Sequence, residues 1–222
     1  MSAAVDLLLL DVGGVLLLPD PEPIAGRLRR FGASIGPFDA ARLHYEAVAA
    51  FDRSGDLDAY RRAYGKGLGI GASAADAAAD DALWRAPWTV RVESSVDALA
   101  RLPACGVPVA IVSDSDGTVG QQLLTAQICQ VGPGAFAAVR AVYDSAVVGA
   151  RKPNPLLFEV ALREMGSVPE RALHVGDSRW CDVGGALRAG VPVVHIDPFG
   201  LCEDGGHPHA VDLADIPGLA LA

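Results

Sequence analysis

Residues 7–16, Leu-Leu-Leu-Leu-Asp-Val-Gly-Gly-Val-Leu, restrict the possible folds more than any other stretch of the chain. Four consecutive leucines have no polar side, so they fit a strand covered on both faces, as in the middle of a parallel sheet. Asp11 follows where such a strand ends. A carboxylate buried there is costly without partners, and Gly13 and Gly14 let the backbone turn sharply and approach a ligand. Ligands of open α/β sheets collect outside the carboxyl ends of the strands. A plain turn cap before Gly-Gly is the competing role for Asp11, and this stretch alone leaves both open.

The 222 residues can bury one substantial core, or a core with a smaller companion domain. Although 51% of them are hydrophobic, no uninterrupted apolar run reaches the length of about 20 residues that spans a bilayer. The first six residues lack the positive charge that opens a secretory signal. A net charge of −9 argues against general binding to nucleic-acid backbones. Cys105, Cys129, Cys181 and Cys202 show no CxxC spacing, as expected of reduced cysteines. The expectation is a soluble cytoplasmic protein, monomer or homodimer, without membrane or nucleic-acid partners.

Residues 17 to about 92 read as helical, with no convincing strand. Ile24, Leu28 and Phe31 recur at helical spacing, as do Leu43, Val48 and Phe51 after an N-cap at Asp39. A third helix opens near Asp56, and a fourth, rich in Ala, runs from about Ser73 to Trp84. Tyr60, Tyr64, Trp84 and Trp88 could line a pocket, but aromatic residues at helical spacing belong more often to a core.

Beyond Val92 the pattern alternates between helix and strand. Ser95 can cap a helix that ends near Gly106; an apolar strand over 107–112 then meets Ser113 and Asp114. A weaker strand lies near 141–143, and a loop leads through Lys152 to a helix capped by Asn154 and closed by Gly166. Leu173, His174 and Val175 run into Gly176-Asp177-Ser178, with Asp182 shortly after, and a last strand covers 193–196. This alternation predicts a doubly wound parallel sheet that delivers acidic and hydroxyl side chains to one edge.

Asp11-Val12-Gly13-Gly14-Val15, Ser113 after an apolar strand, Lys152 before Pro153, and Gly176-Asp177-Ser178 with Asp182 together resemble the four ordered motifs of the haloacid dehalogenase superfamily. The resemblance implies an α/β, Rossmann-like core over residues 1–16 and 93–222, with an all-helical cap inserted at 17–92. An Asp carboxylate is an adequate nucleophile toward phosphorus, and an aspartyl-phosphate splits one hard displacement into two easier ones. Mg²⁺, which prefers oxygen ligands, would offset the repulsion between the two anions, held by Asp11 and Asp177. The family pattern adds the Gly13 carbonyl as a ligand and puts Asp182 in the metal site or just behind it. Ser113 and Asp114 would meet the phosphoryl group, and Lys152 would neutralise its developing charge. The chain has only two lysines, Lys66 and Lys152, and otherwise uses Arg.

One position departs from the pattern. Phosphatases of this superfamily typically carry a second Asp, acting as general acid and base, where this chain has Gly13. Losing such a group typically costs about 10²–10⁴-fold, so slowed turnover is expected, with Asp114 and Asp20 as substitutes to test. The reading is therefore a Mg²⁺-dependent phosphatase of a small phosphorylated metabolite, and its alternative is a metal- and phosphate-binding regulatory or interaction module without turnover. Dehalogenation, which needs no metal, and phosphonate cleavage, which would need Lys66, rank lower. His207-Pro208-His209 reads as an exposed loop, and His174 and His195 as hydrogen-bonded core residues.

Overall fold

A computed structural model describes residues 5–34, 39–74, 88–102 and 106–216. Strand β1 (Leu7–Leu10) lies inside a parallel sheet, flanked by β4 (Val109–Ser113) and β8 (Ala172–Gly176). Beyond these lie β7 (Ala141–Asp144) on one side, and β9 (Val193–Ile196) and the short β10 (His209–Ala210) on the other. The leucines divide between two cores. Leu8 and Leu10 pack with Leu99, Ile111 and Val175, whereas Leu7 and Leu9 pack with Phe158, Leu162 and Val193. All four are fully buried, and burying each contributes about 1.5–3 kcal/mol. That two-sided burial anchors the backbone that presents Asp11.

The helices of the predicted 17–92 insert largely form where capping residues place them. Helix α1 (Pro21–Leu28) starts at Asp20, α2 (Ala40–Ser54) at Asp39, and α3 (Leu57–Gly67) at Asp56; each carboxylate accepts from a backbone N–H of the first turn. Ile24, Leu28, Leu43, Ala47, Tyr64 and Leu68 give these helices a hydrophobic cluster of their own. The expected fourth helix falls largely outside the described residues, as does Trp84.

Two strands occur where none was expected. β2 (Leu17–Pro19) and β3 (Trp88–Arg91) pair antiparallel and frame the helical stretch. Neither has sequence periodicity because each is very short and takes its partner from across a long insertion. A second small sheet, of β5 (Cys129–Val131) and β6 (Ala137–Val139), has no periodic signal because each strand is only three residues long.

The remaining helices cover the sheet: α4 (Glu93–Arg101), α5 (Val119–Thr125), α6 (Ser145–Val148), α7 (Leu156–Met165) and α8 (Gly184–Arg188). Ser95 lies inside α4 rather than at its cap, and its hydroxyl accepts from Leu213 N at 3.1 Å, fastening the carboxyl-terminal segment. Asn154 accepts from Leu156 N and Gly166 closes α7 in the left-handed conformation, as expected. Among the described residues, no helix is long and apolar enough to cross a membrane.

Candidate active site

Parallel pairing brings the motifs to one edge. Register pairs Leu10 with Ile111 and with Val175, so Asp11, Ser113 with Asp114, and Asp177 leave adjacent strand ends. Lys152, from the loop before α7, reaches into the same space. Its ammonium lies 2.9 Å from Asp11 Oδ1 and 2.6 Å from Asp182 Oδ1. All four of Asp11, Lys152, Asp177 and Asp182 are buried, and Asp11, Asp177 and Asp182 each offer a carboxylate oxygen within 4.8 Å of the others. Ser113 is buried at the end of β4. Asp114 accepts from the Lys152 backbone N–H at 3.0 Å, which fixes the loop that carries the lysine.

The electrostatics favour a further cation. Burial pushes the Asp11 carboxyl up to about 8; Lys152 opposes this, and Asp182 and Asp177 reinforce it. Burial also works against the Lys152 ammonium, but Asp11, Asp182 and Asp114 outweigh it and hold Lys152 well above its usual range. Burial of Asp182 is outweighed in turn by Lys152 and His174, which hold that carboxyl well below its ordinary value. His174 donates from Nδ1 to Leu9 O and places Nε2 2.8 Å from Asp182 Oδ1, the hydrogen-bonded role its sequence setting suggested. Asp182 Oδ2 accepts from Ser178 N. Asp11 Oδ1, although close to the ammonium, has no aligned hydrogen bond. Three clustered buried carboxylates, only two of them in contact with the ammonium and one oxygen unsatisfied, fit a hard divalent cation with oxygen ligands.

Two glycines make the packing possible. Gly14 has φ +67°, and a Cβ there would stand 2.1 Å from Asp177 Oδ2. A Cβ on Gly176 would stand 2.2 Å from Asp182 Cγ. Gly14→Ala is expected to destabilise the protein by more than about 2 kcal/mol, through backbone strain and the clash together. Thermal or denaturant unfolding checks this, and an unchanged midpoint contradicts the packing described.

Several residues of the site gave no sequence signal, apart from Tyr60 and Trp88, which stood out as aromatics that could line a pocket but belong more often to a core. His44, on α2, donates from Nε2 to Asp177 Oδ2 at 2.7 Å, and its Nδ1 accepts from the Tyr60 hydroxyl at 2.9 Å. Trp88 packs edge-on against His44 and lies over Gly13, where an added Cβ would be 3.0 Å from the indole. The indole thus occupies the space beside Gly13 where a longer side chain would start. Tyr45 donates to Gly14 O. Asp20, suggested as a substitute acid, is committed to capping α1.

Asp52, also on α2, accepts from Ser178 Oγ and Trp180 N through Oδ1 and from Arg179 N through Oδ2, all at 2.7–2.9 Å. These donors open the π-helical turn Arg179–Val183 that carries Asp182. Between α2 and the following loop lies a cavity of about 400 Å³, whose lining includes Tyr45, Asp52, Arg53, Asp177 and Arg179. A larger cavity, about 890 Å³, runs along α2 and α3 and touches none of the site carboxylates.

The fold is thus a parallel sheet with Asp11 at the end of a central strand and a carboxylate and lysine cluster at its carboxyl edge. The sequence profile of haloacid dehalogenase-like hydrolases matches residues 5–190, and the chain belongs to that family. A glyceraldehyde 3-phosphate phosphatase of Methanopyrus kandleri is 46% identical over 55 residues, covering 25% of this chain and 24% of its own. A phosphoserine phosphatase of Thermus thermophilus is 48% identical over 56 residues, or 25% and 22% of the two chains. These alignments thus span about a quarter of the curated relatives. Among solved structures, the putative HAD-hydrolase YfnB of Bacillus subtilis bound to magnesium superposes with a TM-score of 0.59 at 16% identity, over 95% of this chain and 96% of its own. That likeness establishes the shared fold.

Proposed function

We propose that the protein is a Mg²⁺-dependent phosphomonoester hydrolase that acts on a small phosphorylated metabolite through an aspartyl-phosphate on Asp11. The observation that carries this reading is the clustering of the buried Asp11, Asp177 and Asp182 carboxylates, two of which, Asp11 and Asp182, hold the buried ammonium of Lys152. Asp11, Asp177 and the Gly13 carbonyl would hold the cation, while Asp182 completes the carboxylate set and braces Lys152. When bound, Mg²⁺ supplies positive charge that offsets the repulsion between nucleophile and phosphate. Family membership and the phosphatase names of partial relatives support the same chemistry.

In the first half-reaction an Asp11 oxygen attacks phosphorus, the bond to the leaving oxygen breaks, and that oxygen takes up a proton. In the second, water attacks the same phosphorus, the bond to Asp11 breaks, and phosphate leaves. Ser113 donates to a phosphoryl oxygen, and Lys152 stabilises the charge that develops there, with Asp114 completing this side of the phosphate pocket. Residues 17–92 serve as the cap over a core of 1–16 and 93–222, supported by the separate cluster of α1 to α3 and by the β2–β3 ribbon at its root. The cavity near Asp177 has the size of a small-ligand site, and Arg53 and Arg179 line it together with Asp52, Asp197, Glu203 and Asp204. Free Cys129, Cys181 and Cys202 support a reducing, cytoplasmic setting, as monomer or homodimer.

Gly13 leaves proton transfer without its usual side chain, and His44 is the substitute this geometry offers. Its ring lies against Trp88 and contacts Asp177, so it is a titratable group facing the site. His44→Ala is expected to lower kcat by about 10²-fold, with KM changed far less. Steady-state kinetics checks this, and kcat within threefold of the parent removes His44 from proton transfer.

The enzymatic reading is tested by phosphate release from aryl phosphates and a panel of phosphorylated metabolites with Mg²⁺ present. Metal-dependent turnover is expected. Gly13 favours the second reading, a binding module without turnover; calorimetric binding of phosphate with no product across the panel establishes it instead.

A further inference from the structure

We infer that His195, Cys202, His207 and His209 form a second metal site, distinct from the carboxylate cluster, that takes a Zn²⁺-like transition-metal ion. One donor atom from each of the four lies within 4.8 Å of those of the other three. His195 Nδ1 is 3.0 Å from His207 Nε2, which is 3.9 Å from Cys202 Sγ. Tetrahedral zinc with ordinary bond lengths separates two nitrogens by about 3.3 Å, and a nitrogen from a sulfur by about 3.6 Å. These two separations are within a few tenths of an ångström of a coordinated geometry, and the His209 donor lies within 4.8 Å of the other three.

The backbone builds this arrangement. Parallel pairing of β10 with β9 sets His209 in register with His195, and His195 N donates to Pro208 O at 2.9 Å. Asp197 returns the intervening loop by accepting from both Leu201 N and Cys202 N at 2.9 Å. The exposed loop expected from His207-Pro208-His209 is thus a sheet edge whose histidines face a strand histidine; β10 is too short to carry a periodic signal. His207 and Cys202 are partly buried, whereas Pro208 and His209 are exposed, as a surface loop would have them.

The outward-facing nitrogen of His195 fits the same arrangement, while those of His207 and His209 approach carboxylates without a hydrogen bond. Metal-bound histidines usually direct their other ring nitrogen at a carbonyl or carboxylate. His195 Nε2 must donate to Asp177 O, 2.8 Å away, so its Nδ1 presents a lone pair to the cluster whenever the ring is neutral. His207 Nδ1 lies 3.9 Å from Asp204 Oδ2, and His209 Nδ1 lies 3.7 Å from Asp197 Oδ2. Strand pairing and hydrogen bonds place these residues one by one, and a single bound ion is what their four converging donor atoms have in common. Three imidazoles and a thiolate suit zinc and suit Mg²⁺ poorly. Four protein ligands leave no open position, so the ion is structural. It pins the carboxyl-terminal loop to the strand end and, through His195, to the backbone of Asp177.

The test uses the full-length protein, freed of metal by chelation and titrated with Co²⁺ as a spectroscopic probe. The expected result is one Co²⁺ per chain with intense tetrahedral d–d bands and a thiolate charge-transfer band, displaced by Zn²⁺ and unaffected by excess Mg²⁺. Cys202→Ser should abolish the charge-transfer band, and His207→Ala should weaken binding by at least about 100-fold, more than loss of a merely supporting group does. Asp11→Asn should leave the spectrum unchanged, which separates this site from the catalytic one. The inference is overturned by absence of stoichiometric binding, by a charge-transfer band that survives Cys202→Ser, or by an octahedral spectrum that disappears in Asp177→Asn.

Discussion

Asp11→Asn is expected to lower Mg²⁺-dependent phosphate release by at least about 10³-fold while leaving the protein folded. The amide keeps the shape of the carboxylate but is a far weaker nucleophile and cannot form the acyl phosphate. Folding should not suffer, because burial already disfavours a charge at this position, and Lys152 retains Asp182 as its closest partner. The measurement is kcat for a metabolite that the parent turns over, together with the unfolding midpoint. Turnover within tenfold of the parent, in a folded variant, removes Asp11 from covalent catalysis and with it the proposed mechanism.

Chelation of Mg²⁺ is expected to reduce turnover to the level of that variant and to lower Tm. At a free concentration about 100 times Kd, an ion bound only by the folded state contributes about 2.7 kcal/mol. For a chain of this length that is about 5–10 °C. The pH dependence follows from Asp11, whose carboxyl is raised from 3.8 to about 8 by burial. A raised carboxyl stabilises the metal-free fold fully below its unfolded value, and that contribution is lost as pH rises through about 8. The cation must also displace the same proton, so its affinity should climb with pH up to about 8 and then level off. Thermal shifts at fixed Mg²⁺ should accordingly be larger at pH 8 than at pH 6. An equal or larger shift at pH 6 places the ion away from Asp11.

The parts legible in the sequence were those governed by local rules. The leucine run specified a strand buried on both sides, Asp39 and Asp56 specified helix starts, and Gly166 a helix end, because burial and capping act within a few residues. Asp11, Asp177, Asp182 and Lys152 were found because each sits beside a strand end or turn with a recognisable neighbour. His44 was not, and Trp88 was legible only as an aromatic that could line a pocket but belongs more often to a core. They belong to elements whose own periodicity says nothing about Asp177 or Gly13, and only the return of the chain through β2 and β3 brings them to the site. The same holds for β10, whose two residues became a strand by pairing with β9.

The carboxylate of Asp52 has a consequence for how the molecule responds to what it binds. It joins α2 to the amide groups that lead from Asp177 toward Asp182, so helix and loop form one mechanical unit. A displacement of α2 would therefore have to break these bonds or carry the acidic edge of the sheet with it.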